Sequence, residues 1–497
     1  MSDINDKKFS INEPFKIEEF RELAHKTVDM LADYLDDVKS EDKYKVMNHH
    51  KPEDLLEIFQ TKVNNFQKDS KEDFTQFLTD ILDYSTHLHS PNYIAHQTTA
   101  PLPLSALAEF FTSVLNSSTA CYEVSPVGAI LENILINLLT KKFGFNDESG
   151  GFLTLGGSIG NVTALLAARE VMTNNTAWHE GNMNNFSLMV SDQAHYCVSR
   201  TVNIMGLSSN NIHFIPYNNE KRINLDNIQQ TYNTAKSQGY HPKILALSAC
   251  NTAMGIIENT NLIEVAEFCQ ANDIWLHIDA AHGGPTIFSK KYKCLLENYH
   301  LADSIVFDFH KMMLVPSVST AILFKNKVHS YKAVSHNAPY LYKNNVKMDN
   351  DWFNISKRTL ECTKPALAVK SLIPILYYGE DFLDDYFTYL YDLTRLFYQM
   401  LNETKDFETF HEPDTNILCF RYIGLESQGL TDNLSQIQAK LYQQILESNE
   451  FYLVMTELNQ ETYLRVTLIN PRTQESTLVK LLEHIRIQAK SLLSTAR

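Results

Sequence analysis

Between residues 152 and 324 the chain alternates short, apolar, β-rich runs with stretches of helical texture. The runs occupy 152–155, 187–190, 212–215, 244–247, 274–278, 304–307 and 321–324. Runs this short and continuously apolar predict strands buried on both faces, and helical stretches such as 161–172 and 262–271 lie between them. Strands separated by helices build a mainly parallel sheet covered on both sides, an α/β architecture. A doubly wound sheet binds its ligand outside the carboxyl ends of its strands. The polar signatures of this chain fall at those ends.

The flanks have a different texture. In the first hundred residues Phe20, Ala24, Val28, Leu31 and Leu35 recur at spacings of three and four, as do Phe74, Phe77, Leu78, Ile81 and Leu82, which predicts helices with one apolar face each. The polar segment 39–51 between them reads as a loop. Such helices need a second surface, from the following domain or from another subunit. After a helix-like stretch at 366–378, the chain from 381 to 497 reads as a smaller α+β unit, with strands at 417–422, 451–456 and 463–468 and a terminal helix at 475–494. A chain of 497 residues has room for two or three domains. The expected division is a helical segment over 1–100, a large domain over 101–378 and a small domain over 379–497.

Charge and cysteine usage narrow the function. Forty-three basic against fifty-nine acidic residues leave a net charge of -16, which repels polyanions, so neither nucleic acid nor an anionic membrane is an expected partner. Any phosphate must be held locally. Residues 1–14 are polar and lack the apolar core of a secretory signal, and no stretch approaches the roughly 20 uninterrupted apolar residues of a membrane span. The expected location is the cytoplasm. The seven cysteines, at 121, 197, 250, 269, 294, 362 and 419, form no CxxC pair, so no metal site or disulfide framework is expected.

Four features sit at predicted strand ends, in chain order. The first, Thr154-Leu155-Gly156-Gly157-Ser158-Ile159-Gly160-Asn161, is a glycine turn between a strand and a helix. There Gly157 and Ser158 can bring N–H groups and a hydroxyl to an anion at a helix N-terminus. Alone it is unspecific, lacking the lysine of a P-loop and the GxGxxG spacing of a dinucleotide site. In the second, Ser191-Asp192-Gln193-Ala194-His195, the histidine can lie on a flat ring or act as an acid or base near neutral pH. In the third, Trp275-Leu276-His277-Ile278-Asp279-Ala280-Ala281, Asp279 ends an apolar strand and needs a cationic partner, with Ala281 leaving room for a ring; capping of the next helix is the plainer role for that aspartate. The fourth is His310-Lys311 after the run 304–307, where desolvation is expected to lower the lysine pKa and leave an amine able to form a Schiff base. Pyridoxal 5′-phosphate needs all four: a lysine for its aldehyde, a carboxylate for its pyridine nitrogen, a flat partner for its ring and a cradle for its phosphate.

With these features, the segments His89-Ser90-Pro91-Asn92-Tyr93, Tyr122-Glu123-Val124-Ser125-Pro126, His277-Ile278-Asp279-Ala280-Ala281-His282-Gly283-Gly284, Asp303-Ser304 and Arg358-Thr359-Leu360-Glu361-Cys362 make the chain resemble the group II pyridoxal-phosphate-dependent amino-acid decarboxylases from about Phe15 onward. The resemblance implies an aspartate-aminotransferase-like fold of type I, with an N-terminal helical segment packed across an obligate homodimer. It implies that Lys311 carries the Schiff base, that Asp279 partners the pyridine nitrogen, that His195 stacks on the ring, and that Gly157, Ser158, His310 and Ser304 surround the phosphate. It further implies release of carbon dioxide from an L-amino acid to give an amine.

The chain also departs from that family. Asp308-Phe309 stands where Asn-Pro often precedes the His-Lys pair, and Asn251-Thr252 where two threonines are common, leaving Thr252 as the expected support for Asp279. The mobile loop of the family should fall in 335–352, but neither Tyr340 nor Tyr342 clearly matches its tyrosine, which leaves the proton donor unassigned, with His195 favoured. His96 and Gln97, in a segment that also holds Thr99, stand where aromatic-amino-acid decarboxylases carry aromatic residues, and Arg465 matches an arginine that the glutamate branch uses for a carboxylate. These four residues point to a polar, acidic or diamino substrate. An aromatic substrate, an aldehyde-forming oxidative decarboxylation and a non-enzymatic pyridoxal-phosphate carrier are the alternatives.

Overall fold

In the computed structural model, which describes residues 13–40, 43–181, 185–259, 261–334, 351–424 and 433–495, all seven expected runs are strands. They are β1 (Gly150–Thr154), β2 (Phe186–Ser191), β3 (Ile212–Ile215), β4 (His241–Ser248), β5 (Trp275–Asp279), β6 (Ser304–Asp308) and β7 (Thr320–Phe324). They form one sheet in the order β1-β7-β6-β5-β4-β2-β3. Pairing from β3 through β2, β4 and β5 to β6 is parallel, and β7 is antiparallel to both β6 and β1. A mainly parallel sheet with one reversed strand is what the short connection from β6 to β7 allows, because a parallel crossover needs a dozen residues or more.

Alternate side chains of each strand enter different apolar clusters. Leu245 and Leu247, Leu276 and Ile278, and Ile305 and Phe307 pack with Leu135 and Leu139 of helix Pro126–Lys142 and Val265 of helix Leu262–Ala271. Ile244, Ala246, Trp275 and Val306 pack on the other side with Val162, Leu165 and Leu166 of α1 (Gly157–Met172) and Val198 and Val202 of α2 (Tyr196–Ile204). Each such fully buried aliphatic side chain contributes about 1.5–3 kcal/mol. The second face is also polar at its strand ends: Trp275, His277 and Asp279 of β5 share it, as do Ser304, Val306 and Asp308 of β6. Period-two geometry makes that unavoidable once the register pairs His277 with Ser304 and Asp279 with Val306.

Residue contacts group the chain into two compact units, Met1–Ala95 with Gly424–Met455 and Asn470–Arg497, and His96–Ile423 with Thr456–Ile469. The first contains helices Ile17–Asp37, Pro52–Asn65 and Lys71–Asp83 and the later helices Leu434–Ser448 and Glu475–Thr495. Ile17, Val28 and Leu31 remain exposed on it in the single chain. The second unit holds the large sheet and the antiparallel strands β8 (Phe407–Thr409), β9 (Ile417–Tyr422) and β11 (Glu461–Thr467) of a smaller sheet ordered β10-β11-β9-β8, with β10 at Val454–Leu458. Helix Pro52–Asn65 falls within the helical segment expected over 1–100 without having been marked out there, and strand β8 was not expected from the sequence. The helix-like stretch at 366–378 is a short α-helix, Leu367–Ile373, continued by a π-helical turn, Pro374–Tyr378, where proline supplies no N–H for the regular ladder. No helix among the described residues is long and apolar enough to cross a membrane.

Candidate active site

The carboxyl ends of β1, β2, β4, β5 and β6 open on a cavity of about 310 Å³. Gly157, Ser158, His195, Thr252, Asp279, Ala281, His310 and Lys311 all line it, joined by Asn161, Ser248, Asn251, His282 and Asp308. Residues spread over 155 positions of sequence therefore face one space of small-molecule size.

Asp279 is held by neutral donors. Asn161 Nδ2 donates to its Oδ2 at 2.8 Å and the Ala281 amide to its Oδ1 at 3.1 Å. Behind Asn161 a chain of hydrogen bonds runs along the polar face of the sheet. Trp275 Nε1 meets Ser304 Oγ at 2.9 Å, Ser304 Oγ meets His277 Nδ1 at 2.8 Å, and His277 Nε2 meets Asn161 Oδ1 at 2.9 Å. Asn161 Oδ1 can only accept, so His277 carries its proton on Nε2, and the Ser304 hydroxyl, which accepts from Trp275, donates to Nδ1. Burial pushes His277 down to about 4, so it is neutral. Asn161, the residue closing the glycine turn, and His277 are thus site residues that the sequence reading did not single out.

Lys311 sits at the other side of the cavity with its side chain about one-fifth exposed (21%) and Nζ 3.2 Å from Asp308 Oδ2. Asp308 is buried (1% exposed), accepts a hydrogen bond from Thr320 Oγ1, and lies 3.7 Å from His310 Nε2. The expectation that burial alone lowers the lysine pKa is corrected here. Burial does pull it down, but the Asp308 carboxylate, with Asp279 behind it, outweighs that effect and raises it. In this form Lys311 is an ammonium.

The glycine turn lies beside the same carboxylate. Gly156 has φ +103, a conformation that L side chains rarely adopt, and a Cβ on Gly157 would come within 2.9 Å of Asp308 Oδ2. Gly157 begins α1, whose first N–H groups lack intrahelical partners. His195 precedes α2 and caps it, Nδ1 accepting from the Cys197 amide at 3.3 Å, which leaves the proton on Nε2. Burial, opposed by Asp279, lowers its pKa.

Thr252 lines the cavity, while the hydrogen bonds to Asp279 come from Asn161 and Ala281. Ser304 does not line it, being fully buried between Trp275 and His277. Nor do His96, Gln97, Thr99 and Arg465 line it. Thr99 is buried against Tyr386, and His96 feels the charge of Arg465. Arg465, on β11, is 6% exposed, and its Nε and Nη2 have no hydrogen-bond partner among the described residues. A buried guanidinium left in that state calls for an anion. Tyr340 and Tyr342 lie outside the described residues. A further missed group is Glu258, fully buried, whose Oε1 accepts from Tyr217 Oη at 2.6 Å and whose Oε2 accepts from the Ser248 amide at 2.6 Å. Tyr217 Oη also accepts from Asn251 Nδ2 at 2.9 Å, so the pair braces the cavity wall. Its only sequence signal is a glutamate closing the apolar run Ile256-Ile257.

The donor set fits pyridoxal 5′-phosphate. A lysine, a carboxylate with neutral supports, a neutral imidazole and a helix N-terminus narrowed so that no Cβ fits at Gly157 all open onto one cavity. Comparison with known proteins agrees. The model of the pyridoxal-dependent decarboxylase conserved domain matches residues 52–423. An aromatic-L-amino-acid decarboxylase of Bacillus atrophaeus is 25% identical over 484 residues, covering 97% of this chain and 98% of that protein. The L-aspartate decarboxylase dtxS4 of Metarhizium robertsii is 26% identical over 374 residues, covering 75% of this chain and 74% of the relative. The crystal structure of mouse CSAD superposes with a TM-score of 0.86 at 20% identity, covering 95% of this chain and 99% of that one, which is a likeness of fold. The chain belongs to the pyridoxal-dependent decarboxylase family and is a pyridoxal-phosphate-dependent carboxy-lyase.

Proposed function

We propose that the protein decarboxylates an L-amino acid with a polar side chain to the corresponding amine, with Lys311 as the lysine that holds the cofactor. The observation that carries this is the meeting of Lys311, Asp279, His195 and the Gly157-Ser158 turn at one cavity. When bound, pyridoxal 5′-phosphate supplies an aldehyde for an amine and a conjugated ring that takes up the electrons of the breaking bond to the carboxylate carbon. The residues that would hold it are Lys311 at the aldehyde, Asp279 at the ring nitrogen, His195, Ala281 and Thr252 at the ring, and Gly157, Ser158 and His310 at the phosphate. Asp279, fixed by Asn161 and the Ala281 amide, keeps lone pairs free to hold a proton on that nitrogen. His195, neutral and with its proton on Nε2, is the donor for the carbon that loses carbon dioxide. Ser304 acts through His277 and Asn161 to fix the Asp279 carboxylate.

Arg465 supplies the cationic group for a substrate carboxylate, with His96, Gln97 and Thr99 on the same side of the choice between polar and aromatic side chains. The aspartate-named relative supports a polar substrate. The relative named for aromatic amino acids spans nearly the whole chain, so aromatic substrates belong in the same test. The working form is a cytoplasmic homodimer.

A panel of the common amino acids, scored together for carbon dioxide, amine, hydrogen peroxide and ammonia, tests this reading. The expected result is carbon dioxide and amine from a polar amino acid, lost in Lys311→Ala. Peroxide and ammonia with the carbon dioxide would replace it with an oxidative reaction. Bound cofactor without carbon dioxide from any member would replace it with a carrier.

A further inference from the structure

One carboxylate of the cavity, Asp308, stands where a negative charge suits neither an amine that must react nor an incoming phosphate. Asp308 is 1% exposed, and its Oδ2 lies 3.2 Å from Lys311 Nζ and 2.9 Å from where a Cβ on Gly157 would stand. It therefore faces both the amine that must react with an aldehyde and the helix N-terminus that must receive a phosphate. Both consequences are unfavourable to binding the cofactor. A carboxylate beside an amine favours its unreactive ammonium form, and a carboxylate beside an anion cradle repels the anion. An amide of the same shape would do neither. Thr320 Oγ1 donates to Asp308 Oδ1, so the carboxylate is fixed in place.

We propose that Asp308 latches Lys311 as an ammonium in the cofactor-free protein and then receives its proton when the lysine condenses with the aldehyde. The step balances within the pair. One Nζ–H breaks and Oδ2–H forms, the freed amine bonds to the aldehyde carbon, and the aldehyde oxygen leaves as water with the two hydrogens that remained on Nζ. Afterwards the neutral carboxyl can donate to a phosphate oxygen at the glycine turn, where its anion would have repelled it. The groups facing this pair are His310 on the same turn, Asp279 on β5, Cys250 after β4, His282 after β5, and His195 and Cys197 at the start of α2. Of these only Asp279 is a second anion close to Lys311, and it is held by neutral donors. Burial keeps His282 neutral, at about 3, and pushes the Cys197 and Cys250 thiols up to about 12.

This inference rests on the assignment of Lys311 as the cofactor lysine, and the test separates the two. Cofactor-free protein is exposed to pyridoxal, which has the aldehyde but no phosphate, then trapped with borohydride, and the adduct at Lys311 is quantified by mass spectrometry across pH. In Asp308→Asn the acid limb of the profile moves to lower pH, and trapping at pH 7 is about tenfold faster than in the wild type, one unit of displacement being a factor of ten. Asp308→Glu, which keeps the charge, stays near the wild-type profile. Asp308→Ser, a smaller neutral side chain, repeats the Asn result should the amide variant fold poorly. A second readout is inorganic phosphate as a competitor of pyridoxal 5′-phosphate, expected to bind about tenfold tighter to Asp308→Asn. Trapping at Lys311 with the same pH profile in the wild type and both neutral variants overturns the latch alone. Absence of any Lys311 adduct in the wild type, with pyridoxal or its phosphate, overturns the latch and the assignment of Lys311 together.

Discussion

Two aspartates end neighbouring strands of one sheet and point to the same face, yet their surroundings differ in kind. Asp279 on β5 meets an amide side chain and a backbone N–H, backed by a hydrogen-bond chain through His277 and Ser304 to Trp275. Asp308 on β6 meets an ammonium and an imidazole. The first is a carboxylate fixed in position and still short of a cation, suited to an incoming positive nitrogen. The second already has its cation and must release it before that lysine can react. Neutral support pre-organises a charge for a ligand, whereas a charged partner stores it until a ligand arrives.

The contrast can be broken most strongly at Asp279. Asp279→Asn keeps the shape and one of the two hydrogen bonds that the carboxylate accepts, from Asn161 or from the Ala281 amide, but removes the charge, and kcat should fall on the order of 10²–10³-fold while the chain still folds; steady-state kinetics with a circular-dichroism melt reads both. Activity within a few-fold of wild type would show that no positive nitrogen sits there. A smaller effect is expected behind it. His277→Phe removes the donor to Asn161 and leaves buried polar groups unpaired, costing about 1–3 kcal/mol of stability and roughly 10–100-fold in activity, as for residues that orient the ligands of a metal site without touching the metal. Asn161→Ala should lower activity similarly, and a loss confined to stability would reduce the chain to a packing device.

The smallest effect sharpens the comparison with a third carboxylate. Glu258 is buried without an ion pair among the described residues, and burial raises its pKa to about 7. A carboxyl that holds its proton more tightly when folded adds stability in full below its unfolded value of about 4.5, and loses it as pH rises through about 7. Glu258→Gln should therefore flatten the fall in urea midpoint between pH 5 and pH 8, a term of about 2–3 kcal/mol. An unchanged pH dependence would mean that another group carries it.

Much of this site was legible in the sequence because its parts obey local rules. Gly157-Ser158 sits where a strand turns into a helix, and Asp279 and Lys311 follow apolar runs, so their positions at the carboxyl ends of β1, β5 and β6 follow from periodicity and topology. His277 was not legible as a site residue, because a histidine inside an apolar strand looks the same whether it is buried alone or bonded at both nitrogens. Ser304 was expected at the phosphate from the family resemblance; the pairing of His277 with Ser304 puts it at the opposite end of β6 from the His-Lys segment. The lysine pKa failed for a related reason. Burial was inferred from the apolar run, but the sign of the shift depends on which charge stands 3.2 Å away.

The amino-acid sequence alone determined the α/β architecture, the seven strands of the large sheet and the residue types that a pyridoxal cofactor needs, because those depend on side-chain period, glycine conformation and strand-end placement. The tertiary structure decided the electrostatics: which carboxylate is held by neutral donors, which one neutralises Lys311, and that Arg465 is buried with its Nε and Nη2 lacking hydrogen-bond partners among the described residues. Those depend on distances of a few ångströms between residues far apart in the chain, where one step in register exchanges a hydrogen bond for an ion pair.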